Sequence, residues 1–216
     1  KELLAQLDGD FVASNILQGV NLFGLAGTAT AGGGDDGSFR AVIERTAVNP
    51  TLPSDLTKIG DYAFYQCSNL ALTSLPAGVT SIGRYAFNQC SNLALTSLPA
   101  GVTSIGGYAF NRCSNLALTS LPTALTTIDS YAFDYCYALD ITSIPAGVTS
   151  IGSYAFEKCT LLKSITFLGT PSTIGNRAFY NCSGLRTINA PWAEGAVTGA
   201  PWGATNVTIN YNYTGG

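Results

Sequence analysis

Histidine is absent from all 216 residues. That removes the commonest metal ligand, the His-based catalytic triads and the Cys–His dyads together. Charge is scarce too: Asp, Glu, Lys and Arg make up 11% of the chain, roughly half the usual share. The net charge of −3 comes without any basic block, so the electrostatic footprint of a nucleic-acid binder is missing. Acid–base chemistry would fall to carboxylates. Asp61, Asp129, Asp134, Asp140 and Glu157 are scattered over the repeats, and no glycosidase-like pair is expected among them. No apolar run approaches the ~18 residues of a spanning helix, and Lys1 to Asp10 lacks the charged-then-apolar order of a signal peptide. The missing initial Met leaves room for a segment upstream. No catalytic residue, cofactor, metal, nucleic acid or membrane insertion is expected.

Apolar residues are 46% of the chain, ample for a core, and Ser, Thr, Asn, Gly and Tyr supply a neutral polar surface. This composition favours an extracellular, cell-surface or virion setting. Cys67, Cys90, Cys113, Cys136, Cys159 and Cys182 are 23 residues apart every time. Each follows an Ile-Gly-x-Tyr-Ala-Phe type of lead-in, beginning at Ile59, Ile82, Ile105, Ile128, Ile151 and Ile174, and each is followed three residues on by Leu. Leu75-Pro76, Leu98-Pro99, Leu121-Pro122 and Ile144-Pro145 close four of the units. So short a unit cannot bury its own apolar side chains and must stack them on the next copy.

The period predicts a right-handed solenoid of six coils, mainly short parallel β-strands with one helical turn per 23-residue coil. Leu-x-Leu-Thr-Ser-Leu-Pro reads as one strand, Val-Thr-Ser-Ile-Gly as a second extended piece, and Tyr-Ala-Phe-x-x-Cys as the helical turn. Strands about 4.8 Å apart make six coils a rod roughly 30 Å long. The pattern resembles the BspA-type leucine-rich repeats of bacteria over about residues 43 to 191. The resemblance implies a leucine-rich-repeat fold and a surface-exposed or secreted adhesion or binding protein of a host-associated microbe.

Three regions are expected: residues 1–38 as an attachment or oligomerisation segment, 39–190 as the solenoid, and 191–216 as a capping strand. Asn15 to Thr28 resembles a Gly-punctuated segment of phage and prophage tail and fibre proteins, and Gly32-Gly33-Gly34-Asp35-Asp36-Gly37 reads as a flexible linker. A phosphate cradle is not expected there, because no strand precedes the glycines and no Lys-Ser/Thr follows. At the other end Val207, Ile209, Tyr211 and Tyr213 alternate with Thr208, Asn210 and Asn212, a half-buried strand that would close the last coil. Trp192 and Trp202 are expected to shield that end, with sugar stacking as the alternative.

One Cys per coil forms a column of parallel Cβ vectors, which suits neither disulfides nor a tetrahedral zinc site. The thiols are expected to pack as small hydrophobes. Asn69, Asn92 and Asn115 give way to Ala138, Leu161 and Gly184 in later copies, so no function attaches to that column.

Positions the repeat leaves free are the candidates for partner binding. The site after Ile-Gly holds Asp61, Arg84, Gly107, Ser130, Ser153 and Asn176. The two before Cys hold Tyr65-Gln66, Asn88-Gln89, Asn111-Arg112, Asp134-Tyr135, Glu157-Lys158 and Tyr180-Asn181. A stacked rod is expected to present these as adjacent columns on one face, either as ordinary solvent-facing variation or as a ligand surface. A second candidate is an aliphatic stripe: Leu72, Leu95, Leu118 and Ile141 stand five residues after Cys, whereas the last two copies use plus six, Ile165 and Ile188. Because strand side chains alternate, plus five and plus eight can both point inward only through a bulge. Either the strand is bulged or the four form an exposed apolar patch.

The resulting expectation is a non-enzymatic recognition or adhesion module. Its partner would be a protein or surface glycan of a host or neighbouring cell, with homo-oligomerisation through residues 1–38. The alternatives are a structural or decoration protein of a virion or cell-surface assembly, and an accessory region of a larger surface enzyme.

Overall fold

The computed structural model describes Arg45 and residues 48–215. The expectations for residues 1–38, including the tail-protein resemblance and the linker, lie outside them.

A polar residue followed by Ile recurs in each copy, Lys in the first and Ser or Thr in the other five, and the β-branched Ile suits a pleat with one face out and one face in. The strands are β1 (Lys58–Ile59), β2 (Ser81–Ile82), β3 (Ser104–Ile105), β4 (Thr127–Ile128), β5 (Ser143–Ile144), β6 (Ser150–Ile151), β7 (Ser164–Phe167), β8 (Thr173–Ile174), β9 (Thr187–Asn189) and β10 (Thr208–Asn210). One parallel sheet runs β1-β2-β3-β4-β6-β8, and a second runs β10-β9-β7-β5. In the first sheet Ser81 pairs with Ser104 and Ile82 with Ile105, so the ladder steps by one repeat at a time. Every Ile of this sheet is buried. The chain is a parallel solenoid, as the period predicts.

The second sheet is shorter than expected. The Leu-x-Leu-Thr-Ser-Leu-Pro stretch forms no strand in the first three copies and becomes one only from β5 onward. In that irregular stretch Leu72, Leu95, Leu118 and Ile141 are all buried, at 4%, 0%, 0% and 1% exposure. The exposed-stripe alternative is therefore overturned. Without a continuous ladder the backbone has no alternation to obey, and the plus-five and plus-eight side chains both turn inward.

No helix occurs among the described residues, which corrects the expected helical turn. Tyr-Ala-Phe-x-x-Cys is instead a run of turns in which N–H groups alternate in direction. In the second copy Tyr85, Phe87 and Gln89 donate to Gly107, Ala109 and Asn111 of the next coil, while Ala86, Asn88 and Cys90 donate three residues back to Gly83, Tyr85 and Phe87. A right-handed helix would send every N–H four residues back. The alternation needs left-handed backbone at two non-glycine residues per coil, for example Tyr85 (φ 55°) and Gln89 (φ 61°).

Stacked columns build the core. The Phe rings of successive coils lie parallel, with centroids 5.2 Å apart at Phe64–Phe87 and 5.4 Å at Phe133–Phe156. No disulfide joins the buried cysteines. Instead, Cys90 Sγ donates to Phe64 O at 2.9 Å, and Cys113, Cys136, Cys159 and Cys182 repeat the bond one coil on. Burial pushes these thiols up, to about 11 at Cys67 and about 12 at Cys182. They are protonated and unreactive.

A seventh, shorter coil follows the six. Trp202 O accepts from Phe179 N–H at 3.0 Å, in the place that the Ala carbonyl of the next coil takes for the other Phe residues. Trp192 and Trp202 are buried and meet Phe167 at centroid distances of 5.0 and 6.3 Å. β10 pairs parallel with β9, and Val207, Ile209 and Tyr211 pack partly buried against the core.

Candidate recognition face

The outward residues of the first sheet are small. Ser81, Ser104 and Thr127, with the glycines after Ile, leave a shallow open groove of about 530 Å³. Its lining also includes Lys58, Asp61, Arg84, Tyr108 and Asp129. Asp61 Oδ1 accepts from Arg84 N–H at 2.8 Å, and the Arg84 guanidinium lies over the Tyr85 ring, 5.2 Å from its centroid.

Tyr62, Tyr85, Tyr108, Tyr131 and Tyr154 form a ladder beside the groove, with centroids 4.9, 4.7, 4.5 and 4.9 Å apart and near-parallel rings. Burial first, and then the neighbouring tyrosines, raise the hydroxyl pKa of Tyr108 above its ordinary value. Arg177 takes the sixth position and donates to Tyr154 Oη at 3.0 Å.

The residues expected to bind a partner fall into local groupings along the rod. Arg84 lines the groove. Tyr65 and Gln66 sit at the first coil, where Arg45 covers the Tyr65 ring at 5.6 Å and donates to Gln66 Oε1. Arg112, Tyr135 and Lys158 do come together: the guanidinium and the ammonium approach the ring to 5.0 and 4.1 Å, and Lys158 Nζ donates to Tyr135 Oη at 2.6 Å. Tyr180 is at the far end beneath Arg177, 5.1 Å away. Gln89 is half-buried, its N–H bonded to Asn111 O.

The column two before Cys is not free in the middle coils, contrary to expectation. Asn88, Asn111 and Asp134 are buried at 3%, 6% and 5% exposure. Asn88 Nδ2 donates to Asn111 Oδ1 at 2.9 Å, and Asn111 Nδ2 donates to Asp134 Oδ2 at 2.7 Å. Each amide satisfies its neighbour, which is how polar groups tolerate burial. Burial, followed by the Glu157 carboxylate, pushes Asp134 up to about 7, against the opposing pull of Lys158, Arg112 and the Asn111 bond.

Sequence reasoning passed over the tyrosine ladder, the hydroxyl row and Asp129. The signals were present: a Tyr at the same step in five copies, and an acid at position 129 where every other copy has Gly. Among the described residues no group of three or more His, Cys, Asp or Glu could hold a metal, and no helix is long and apolar enough to cross a membrane.

The family described as "BspA type Leucine rich repeat region" matches residues 44–159 and 126–194 in six copies. Among solved structures, a leucine-rich repeat protein of T. pallidum is 32% identical with a TM-score of 0.56, covering 65% of this chain and 68% of that one. A leucine-rich cell surface protein of Faecalibacterium prausnitzii A2-165 is 24% identical with a TM-score of 0.46, and 76% of this chain aligns with 57% of it. No curated protein sequence matches. A stack of six in-phase copies on the geometry above, matched along most of its length, means that the chain belongs to the BspA-type leucine-rich repeat family.

Proposed function

We propose that this chain is a non-enzymatic recognition module, displayed outside a bacterial cell, that binds a macromolecular partner along the groove of the six-stranded sheet. The groove carries the reading. Elsewhere the columns are filled by stacked rings, buried amides or core aliphatics, whereas here small hydroxyl residues leave an open concavity that charged side chains enter. The scarcity of charge over the remaining surface suits an extracellular setting. Histidine is missing, and the neighbouring carboxylates Asp134 and Glu157 do not line the groove.

Binding of the fluorescently labelled chain to bacterial and host cells tests this, with Arg84→Glu and Ser104→Arg as groove variants. Wild-type binding that falls about tenfold in both variants, at unchanged circular dichroism, supports the module. Cell binding that survives both substitutions would overturn the assignment to this face. With no cell binding by the wild-type chain, the structural or decoration role becomes the better reading.

A further inference from the structure

The glycine column beside the groove breaks once. A Cβ at Gly106 would lie 2.8 Å from Arg84 N, one at Gly152 2.2 Å from Ser130 N, and one at Gly175 2.3 Å from Ser153 N. Glycine is favoured in this column because the backbone of the preceding coil lies close against it. Asp129 occupies this position in the fourth copy, in the same register: Asp129 N–H donates to Ile105 O at 3.0 Å, as Gly106 N–H donates to Ile82 O at 2.9 Å. Its Cβ thus faces residue 107, and residue 107 is glycine where the neighbouring copies carry Arg84 and Ser130. The fourth coil carries the one acid of this column, beside the one glycine of the column that follows Ile-Gly. Asp129 is exposed on the floor of the groove.

The opposite sign gathers at the other end. Lys58 and Arg84 supply two cations against Asp61, whose Oδ1 already accepts the Arg84 amide. Arg84 and Asp129 belong to the second and fourth coils, two strand spacings or about 10 Å apart, with Gly106, Gly107 and Ser104 between them.

We propose that the groove binds an extended peptide segment carrying an acidic side chain against Lys58 and Arg84 and a basic side chain against Asp129. This rests on the recognition reading above and specifies its ligand. A neutral glycan would leave both charged ends unmatched, and a compact zwitterion is too short to reach them together. An extended peptide advances about 3.3 Å per residue and alternates its side chains, so an acid and a base four residues apart share one face and span about 13 Å, between the two strand spacings from Arg84 and the three from Lys58 to Asp129. The Ser and Thr hydroxyls between can bond its backbone.

The probe is a fluorescein-labelled octapeptide of Gly and Ser bearing one Glu and one Lys four residues apart, compared with Glu–Glu and Lys–Lys versions by fluorescence anisotropy. The mixed peptide is expected to bind at least about threefold more tightly than either control, as suits exposed pairs, with the advantage shrinking at about 0.5 M salt. Asp129→Asn should abolish the preference over Glu–Glu. Asp129→Lys should invert it, since the new repulsion rejects the old ligand. Equal binding of all three peptides, or no saturable binding up to about 1 mM, overturns the ligand class. If cell binding still falls in Arg84→Glu and Ser104→Arg, the recognition reading stands without it. If those variants also leave cell binding intact, both fail.

Discussion

The first three coils and the last three solve the same packing problem by different means. In the early coils Leu95 and Leu98, or Leu118 and Leu121, enter the core from an irregular backbone that forms no strand. In the late coils Ile165 and Phe167 enter from β7, and Ile188 from β9, with a regular parallel ladder between them. Leu95 and Leu118 are as fully buried as Ile165 and Ile188, while Leu98 and Leu121 keep 9% and 7% exposure against 2% at Phe167. Column packing, not strand pairing, is what holds this side of the rod, and the ladder grows beyond two residues only where the inward residues fall two apart. Coil four is the junction: Ile141 keeps the early spacing while Ile144 already pairs with Phe167.

The largest test of this comparison is a matched pair of core truncations. Leu118→Ala and Ile188→Ala should each cost about 2–5 kcal/mol in urea unfolding, although only one lies in a strand. A cost below about 0.5 kcal/mol for Leu118→Ala, the range of surface positions, would break the equivalence.

The two halves also differ in their amide ladders, which are buried at Asn88, Asn111 and Asp134 but run from half-buried Thr166 through Asn189 to exposed Asn210 in the late coils. Asn88 and Asn111 end on a carboxylate, whereas Thr166, Asn189 and Asn210 form a neutral chain, with Asn210 Nδ2 donating to Asn189 Oδ1 at 2.8 Å and Asn189 Nδ2 to Thr166 Oγ1 at 3.0 Å. Asp134 has its folded pKa raised from 3.8 to about 7, so ionising it opposes folding. The penalty is absent below the unfolded pKa, grows as pH rises through that window, and is complete above about 7. Asp134→Asn should therefore stabilise the protein by about 1–2 kcal/mol at pH 8, after allowance for solvent screening, with little gain at pH 4. Asn189→Asp should bring the same alkaline weakness to the late coils. Thermal melts of both variants across that pH range check the pair, and a flat pH profile for Asn189→Asp would show that the two ladders are not equivalent.

The smallest effect concerns left-handed backbone. Gln89 (φ 61°) and Asn181 (φ 56°) occupy equivalent positions before Cys. Asn tolerates this region better than Gln. Gln89→Asn should gain, and Asn181→Gln lose, about 0.5 kcal/mol, measurable as opposite shifts in denaturant midpoint.

The period, the columns and the sealed cysteines were legible because each depends only on which residue recurs. The turn ladder was not. Tyr-Ala-Phe-x-x-Cys is compatible with a helix in composition, and Tyr at positive φ carries no signature, since neighbouring coils rather than the residue itself impose that conformation. The burial of Leu118 was open for a related reason: alternation constrains side chains only where a ladder exists. Arg84, Arg112 and Tyr135 were found as variable positions, but variability alone did not separate groove residues from those clasped in the Arg112–Tyr135–Lys158 cluster. Asn88 and Asn111 look solvent-facing in isolation and are buried because each finds its partner one copy away.

The coil spacing makes distance along this rod a counted quantity. Each charged side chain in the groove draws its surroundings from its own coil and the two beside it, so duplicating residues 85–107 as a block would keep Gly107 beneath Asp129 and Asp61 beneath Arg84. The interval between Arg84 and Asp129 would then lengthen by one strand spacing, about 4.8 Å, and by no intermediate amount. A solenoid of this kind can set the separation of two recognition points by whole-number changes in its own length, as a ruler does by its divisions.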